Sequence, residues 1–162
     1  MRLTIRNLVV NLLYYGLTLF ALPGVFLKVE HFLGIDRPTS DVLRLCAFLL
    51  GVSGAALQVW CIVLLQNFGK GTPSPVFPTQ TLVVDGPYRC VRNPLNLGEL
   101  MVFGALAAWF GSVALLFYML LAFVAFHLFV VLWEEPANRR RFGENYRQYE
   151  AATSRWLPRS GR

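Results

Sequence analysis

The sequence predicts an all-α membrane protein, a multi-pass transmembrane helical bundle of about four spans whose last two spans form a C-terminal helical hairpin. Charged residues make up only 15% of the 162 residues, against about 25% in an ordinary soluble domain. Hydrophobic residues make up 56%, so the chain lacks the polar surface that a water-soluble globule needs. The same composition excludes intrinsic disorder. We therefore expect residues 1–162 to form a single membrane domain.

The first two predicted spans are the apolar runs 8–27 and 42–66. The first contains no charged residue, and its twenty positions would rise about 30 Å as a helix, the thickness of a hydrocarbon core. A cleaved signal peptide is the alternative, but no small-x-small cleavage site follows the run. Residues 28–41 read as a charged loop in which the cluster Thr39-Ser40-Asp41 is suited to cap the next helix. The second span contains only Arg44, which lies in the first turn and can reach the interface.

A polar loop and a helical hairpin are predicted to follow. Residues 67–93 contain four prolines and three glycines, so neither a helix nor lipid-exposed backbone can continue there. The pair Asn93-Pro94 is typical of an N-cap and a first helical position. The apolar runs 94–110 and 113–133 then form the hairpin, with two small residues at its turn. The first arm is barely long enough to cross a bilayer.

The remaining residues, 134–162, read as a strongly polar tail. Pro136 should end or kink the fourth helix near the start of this tail, because proline lacks the N–H that continues a helix. Beyond it, Phe142, Tyr146 and Tyr149 repeat at i, i+4 and i+7. That spacing predicts a short amphipathic tail helix that lies on the membrane or on the central loop.

The distribution of basic residues predicts the orientation. Four spans place the N-terminus, the central loop and the tail on one side, which holds 12 of the 15 Lys and Arg residues. The positive-inside rule makes that side, with both termini, cytoplasmic. The tail arginines can also contact anionic membrane lipids. No nucleic-acid-binding motif accompanies these basic residues, so we expect no nucleic-acid partner.

Ionisable residues inside or at the ends of the spans are the candidate functional groups, because a bilayer makes them costly. They are Glu99, His127, Glu134 and Glu135, with Arg89 and Arg92 as candidate ion-pair partners at the same membrane face. Two interpretations of the glutamates stay open, namely a clamp between the loop and the hairpin or a site. The histidines and cysteines have no spacing typical of metal ligands, so we expect no metal.

Two ordered blocks resemble the signature of a known enzyme family. Residues 86–98 resemble the G-P-Y-x-x-x-R-H-P-x-Y-x-G motif of the isoprenylcysteine carboxyl methyltransferase family. Residues 134–158 are similar to that family's E-E-x6-F-G-x-x-Y-x-x-Y tail with its closing Arg and Pro. Upstream, Gly71-Thr72-Pro73 and Thr81-Leu82-Val83 are similar to the family's lead-in. The resemblance spans 69–158, more than half of the chain.

The resemblance implies an integral membrane methyltransferase that uses S-adenosylmethionine and binds it at the cytoplasmic face. Carried over position by position, it implies cofactor contacts at Gln80, Thr81, Leu82, Val83, Tyr88, Asn93, Pro94, Leu95, Asn96 and Glu134. A carboxylate there can pair with the cofactor's ammonium group, and an aromatic face can attract its sulfonium. A lipidic or small hydrophobic methyl acceptor is the natural expectation, because it can enter sideways between helices.

The chain departs from the family pattern at several positions, including Pro136-Ala137-Asn138, where the family usually has leucine after the Glu pair. Asn93 and Asn96 replace the usual His and Tyr, which keeps hydrogen bonding but removes an imidazole and a phenol. Val130 replaces the Arg that holds the acceptor in members that methylate a prenylcysteine carboxylate. A carboxylate acceptor is therefore not what the resemblance favours here.

Three residues are candidates for direct roles in methyl transfer. Glu135 or Glu99 can accept a proton from the acceptor, and Arg92 can orient an anionic acceptor. Two alternatives to a methyltransferase stay open. One is an NADPH-dependent sterol or steroid reductase, whose related motif also ends in Gly-Glu, as at Gly98-Glu99. The other is a non-catalytic membrane scaffold.

Overall fold

The computed structural model describes residues 5–35, 37, 39–70 and 79–158, and their architecture is a helical bundle. The α-helices are α1 (Ile5–Gly16), α2 (Leu22–Phe32), α3 (Asp41–Asn67), α4 (Pro94–Phe110), α5 (Val113–Phe129), α6 (Glu135–Phe142) and α7 (Glu144–Ala152). Three continuous helical stretches are long and apolar enough to cross a membrane, namely Leu12–Phe32, Asp41–Asn67 and Val113–Phe142. The apolar helix α4 is shorter. About four spans, as the sequence predicts, are compatible with this arrangement.

The first span is longer than predicted. Helices α1 and α2 are joined without a break by a π-helical turn, Leu17–Ala21, which lies directly before Pro23. Proline cannot donate to the carbonyl four residues earlier, and a π turn is one way for a helix to absorb that loss. The helix then runs to Phe32, so the predicted loop start at residue 28 is wrong.

The extension contains Glu30, whose carboxylate is fully shielded from solvent. It accepts hydrogen bonds from the backbone N–H groups of Val113 at 2.9 Å and Ala114 at 3.2 Å, and from the Ser112 hydroxyl. Arg37 Nε lies 3.2 Å from its Oε2. An acidic residue at a helix N-terminus compensates the unpaired N–H groups there. Glu30 therefore joins α2 to the start of α5.

Helix α3 begins where the sequence predicts. The Ser40 hydroxyl accepts a hydrogen bond from the Leu43 N–H at 3.2 Å, which caps the helix. Helix α3 packs along α4, and the two backbones approach closely at Gly54 and Gly98. A Cβ atom at Gly54 would lie 2.6 Å from the Gly98 carbonyl oxygen. The small residues thus allow α4 to lie deep against α3.

The predicted hairpin is confirmed. Helix α4 begins at Pro94 and ends at Gly111, whose φ of 59° is the left-handed conformation that suits glycine at a helix C-terminus. The Ser112 hydroxyl then caps α5 by accepting from the Leu115 N–H at 3.1 Å. Asn93 stands at the N-cap position of α4, but its side chain makes no capping bond. Its Nδ2 instead donates to the Arg155 carbonyl oxygen at 3.2 Å.

The last membrane helix does not end at Trp133, as predicted, but continues to Phe142. A π-helical turn, Val130–Glu134, joins α5 to α6, and the Glu135 N–H donates to the carbonyl of Val130, five residues earlier. Pro136 follows this turn as Pro23 follows the first one. The π turn accommodates the proline, which explains why Pro136 does not terminate the helix.

The tail folds back on the central loop. Gly143 has a φ of 57° and separates α6 from α7, so Phe142 belongs to α6 and the predicted amphipathic helix is shorter than its pattern. Tyr146 on α7 is buried. After α7, the Arg92 N–H donates to the Ser154 carbonyl at 2.8 Å, in an isolated parallel bridge between the loop and the tail.

Candidate active site

A cavity of about 660 Å³ lies where the ends of α3 and α5, the start of α4, the central loop and the tail meet. This volume is within the range of cavities that bind small molecules. The polar side chains that line it are Gln66, Thr79, Arg92, Asn93, Asn96, Glu99, Glu134, Glu135, Asn138 and Arg141. Its aromatic side chains are Tyr14, Tyr15, Tyr88, Phe126, Phe129, Trp133, Phe142, Tyr146 and Tyr149. Aliphatic residues of α3, α4 and the loop complete the wall.

Glu134 is the carboxylate in this cavity that its surroundings leave free. Within the described part of the chain it makes no hydrogen bond and no ion pair. The side-chain amide of Asn96, on helix α4, likewise makes no hydrogen bond with a described residue. A shielded carboxylate without an ion-pair partner is costly unless a ligand is bound, and together with the Asn96 amide it suits a cationic ligand that also forms hydrogen bonds.

By contrast, both oxygens of Glu135, the neighbouring carboxylate, form ion pairs. Its oxygens lie 3.0 Å from Arg92 Nη2, 2.7 Å from Arg155 Nε and 3.6 Å from Arg139 Nη2. A second hydrogen bond from Arg155 Nη2 measures 2.9 Å. The side chain of Glu135 is only 3% exposed, so a buried pair of this kind fixes the loop, α6 and the tail together.

Arg92 is the centre of this network and also lines the cavity. Its Nη1 lies 3.0 Å from Glu150 Oε1, an ion pair without the angle of a hydrogen bond. Its buried Nε has no hydrogen-bond partner among the described residues. Arg89, the other predicted partner, is exposed and pairs with Asp85 at 2.7 Å instead. The expected clamp between loop and hairpin therefore exists, and Arg92 and Glu135 form it.

Glu150 connects α7 to the same network. Arg139 holds it with Nε and Nη2 at 2.9 and 2.6 Å, and these charge-assisted hydrogen bonds lower the pKa of Glu150 to about 2. A carboxylate whose pKa is lower in the folded state stabilises that state above its unfolded pKa. Glu150 thus stabilises the docked tail at neutral pH.

We expect this contribution to disappear in acid. The wild-type protein should be more stable than Glu150→Gln at pH 7, and the difference should shrink as the pH falls from about 4.5 toward 2, where Glu150 becomes protonated in the folded state. Thermal unfolding of both proteins in detergent across this range measures the difference. An unchanged difference between pH 7 and pH 2.5 would contradict the assignment.

Three tyrosines form an aromatic wall on the loop and tail side. Tyr149 Oη donates to the Tyr88 carbonyl at 2.7 Å, and the rings of Tyr146 and Tyr149 meet edge to face with centroids 6.1 Å apart. Burial raises the pKa of Tyr146 to about 12 and also raises the pKa of Tyr88 and Tyr149. All three rings therefore stay neutral and present π faces to a bound cation.

The membrane helices form another part of the cavity wall. Glu99 on α4 is only 4% exposed, and its Oε1 accepts a hydrogen bond from Tyr14 Oη at 2.8 Å. Tyr15 Oη donates to Gln58 Oε1 at 3.4 Å. The cavity thus has polar residues between loop and tail and a further carboxylate on the membrane helices.

Most residues that the sequence singled out do meet in this cavity. Those that line it are Leu82, Val83, Tyr88, Arg92, Asn93, Leu95, Asn96, Glu99, Glu134 and Glu135. Gln80, Thr81 and Pro94 do not. The Gln80 N–H and the Thr81 hydroxyl fasten the loop to the end of α3 by donating to the Gly69 and Phe68 carbonyls, and Pro94 is buried as the first residue of α4. Gly71-Thr72-Pro73 lie outside the described residues.

Sequence reasoning missed other lining residues. Tyr14 and Tyr15 lie on the first span, far from both signature blocks, and Arg141 contacts the loop through the Thr79 carbonyl at 3.1 Å. The i, i+4, i+7 spacing did indicate a buried Tyr146. His127, by contrast, accepts a hydrogen bond from Trp156 Nε1 at 3.1 Å and does not line the cavity.

Comparison with protein families gives one match. Residues 42–145, well over half of the chain, match the family described as phospholipid methyltransferase. Searches of curated proteins and of solved structures gave no significant match. The match confirms the resemblance drawn from the two signature blocks, and with the apolar helices it identifies an integral membrane protein. The chain therefore belongs to the phospholipid methyltransferase family, among the isoprenylcysteine carboxyl methyltransferase-like integral membrane methyltransferases.

Proposed function

We propose that this membrane methyltransferase uses S-adenosylmethionine and transfers its methyl group to a lipidic or small hydrophobic acceptor. The observation that carries the proposal is the free, shielded carboxylate of Glu134 in a cavity with aromatic walls. S-adenosylmethionine carries a sulfonium and an ammonium group, and both need such an environment when they leave water. Members of the family generally use this donor.

The donor site that we propose lies in the part of the cavity between loop and tail. Glu134 pairs with a cationic group of the donor, while Asn93 and Asn96 offer amides for its polar groups. Tyr88 and the apolar residues Leu82, Val83 and Leu95 pack against the planar adenine ring of the donor. When bound, the donor supplies an electrophilic methyl group and is left as a thioether.

We assign proton transfer to Glu99 rather than to Glu135. A general base must be free to accept a proton, and ion pairs with three guanidinium groups occupy the oxygens of Glu135. Glu99 makes a single hydrogen bond with the described residues and lines the cavity. The acceptor's lone pair attacks the methyl carbon as the carbon–sulfur bond breaks, and any proton on the acceptor passes to Glu99. Arg92 acts as a positioning residue, since its Nη atoms face Glu135 and Glu150.

The geometry also bears on the acceptor and on orientation. Val130 is fully buried and does not line the cavity, so no cation stands there to hold an acceptor carboxylate. The apolar ends of α3 and α5 form the wall on the lipid side, which suits a lipidic acceptor. We propose that the face with the loop and tail is cytoplasmic, because most basic residues lie there.

Calorimetry on the detergent-purified protein tests the proposal. We expect S-adenosylmethionine and its demethylated product to bind at a single site, and NADPH not to bind. Membranes that contain the protein should transfer label from a methyl-labelled donor into their lipid extract, and chromatography of that extract identifies the acceptor. Absence of binding by both adenosylated ligands would refute the proposal. Binding without transfer would favour a non-catalytic role.

A further inference from the structure

The first span completes the cavity although it lies outside the family match. That match begins at residue 42, whereas Tyr14 and Tyr15 of α1 line the cavity beside Glu99. The first span is held in place independently of these contacts, because Tyr118 Oη on α5 donates to the Thr18 carbonyl at 2.9 Å. Glu30 fixes the other end of the same span. Tyr14 is therefore not needed merely to attach α1.

The contact of Tyr14 is with one specific oxygen of Glu99. The 2.8 Å hydrogen bond uses Oε1, and Oε2 makes none with the described residues. A glutamate side chain has several rotatable bonds and, in an apolar wall, few groups to restrain them. The Tyr14 hydroxyl therefore restrains the carboxylate through Oε1 and leaves Oε2 without a hydrogen bond to a described residue.

We infer that Tyr14 is a positioning residue that holds Glu99 toward the methyl acceptor, so that the acceptor end of the site is completed by the first span. The inference rests on the proposed function, because it needs Glu99 to act in methyl transfer. Among the described residues, no hydrogen bond or ring contact joins Tyr14 to Glu134, the proposed donor contact. Loss of Tyr14 should therefore affect the rate of transfer and not the binding of the donor.

A double-mutant cycle tests this inference with methyl-labelled S-adenosylmethionine and the membrane lipid extract as acceptor. Tyr14→Phe should lower kcat by roughly 10- to 100-fold, the effect of a lost hydrogen bond to a charged group, and leave the KM for the donor within about twofold. Glu99→Gln should lower kcat by roughly 100-fold or more. The double variant should lose no more than Glu99→Gln alone.

Tyr118→Phe is the matched control, since it removes a hydroxyl that anchors the same span without lining the cavity. It should keep the wild-type kcat. Calorimetry with the demethylated product should give the same Kd for the wild-type protein and all four variants, which shows that each is folded. A wild-type kcat in Tyr14→Phe, multiplicative losses in the double variant, or an equal loss in Tyr118→Phe would each overturn the inference. A wild-type protein that binds no donor would instead refute the proposed function, and the inference with it.

Discussion

We expect Glu134→Gln to weaken the binding of S-adenosylmethionine by roughly 10- to 100-fold, which is the cost of replacing a charged hydrogen-bond partner by a neutral one. The side chains are nearly isosteric, so the cavity keeps its shape. Glu134 makes no ion pair with the described residues, and its neutralisation should not disturb the fold. Calorimetry on the purified variant measures the change in Kd.

Comparison of two ligands shows which cationic group of the donor Glu134 binds. S-adenosylmethionine and its demethylated product both carry the ammonium group, but only the former carries the sulfonium. Equal weakening of both ligands assigns Glu134 to the ammonium, and a larger effect on S-adenosylmethionine assigns it to the sulfonium. Glu144→Gln is the matched control, because Glu144 is exposed on α7 and does not line the cavity. Equal effects of the two substitutions would rule out a specific role for Glu134.

The largest loss of stability is expected from Glu135→Gln, about 3–5 kcal/mol. The substitution removes one of the two carboxylates that lie 3.0 Å from the Arg92 guanidinium, whose side chain is only 8% exposed, and leaves it Glu150 alone among the described residues. Arg155 now donates to both oxygens of Glu135, and Gln keeps only one acceptor oxygen, so at least one of these two hydrogen bonds is lost and the tail should detach from the loop more readily. We expect a lower Tm in detergent and faster proteolysis between α7 and the C-terminus.

An exposed ion pair provides the comparison for this effect. Asp85→Asn removes the partner of Arg89, and both side chains of that pair are more than half exposed. Surface pairs contribute little, so its Tm should stay within about 2 °C of the wild-type value. If Glu135→Gln behaved like Asp85→Asn, the buried network would not be what holds the tail.

The parts of the fold that depend on local sequence could be predicted. Ser40 caps α3, Asn93-Pro94 precedes α4, and Gly111 ends it, because each position requires a residue type that the sequence displays. The two signature blocks also indicated most of the cavity, since the loop and the tail that carry them meet there. Glu134 was the predicted donor contact and is the free carboxylate of the site.

The remainder depends on partners distant in the chain. Proline normally marks a helix end, but Pro23 and Pro136 each follow a π turn, so the helix continues. No residue pattern in the sequence predicts these turns. Glu30 read as a loop residue, because its partners lie more than eighty positions away. For the same reason the hydrogen bond between Tyr14 and Glu99 could not be predicted, because these residues lie 85 positions apart.

The position of Glu30 has a consequence for how the protein is made. During synthesis the first two spans emerge well before residues 112–114, which later receive the Glu30 carboxylate. Until then Arg37 is its only partner among those now described. A carboxylate is too costly to leave in lipid, so the first span cannot settle at its final depth until the hairpin has been inserted. Insertion of α4 and α5 is then the step that completes the bundle, and a ribosome-bound chain that ends before residue 112 should hold its first span loosely.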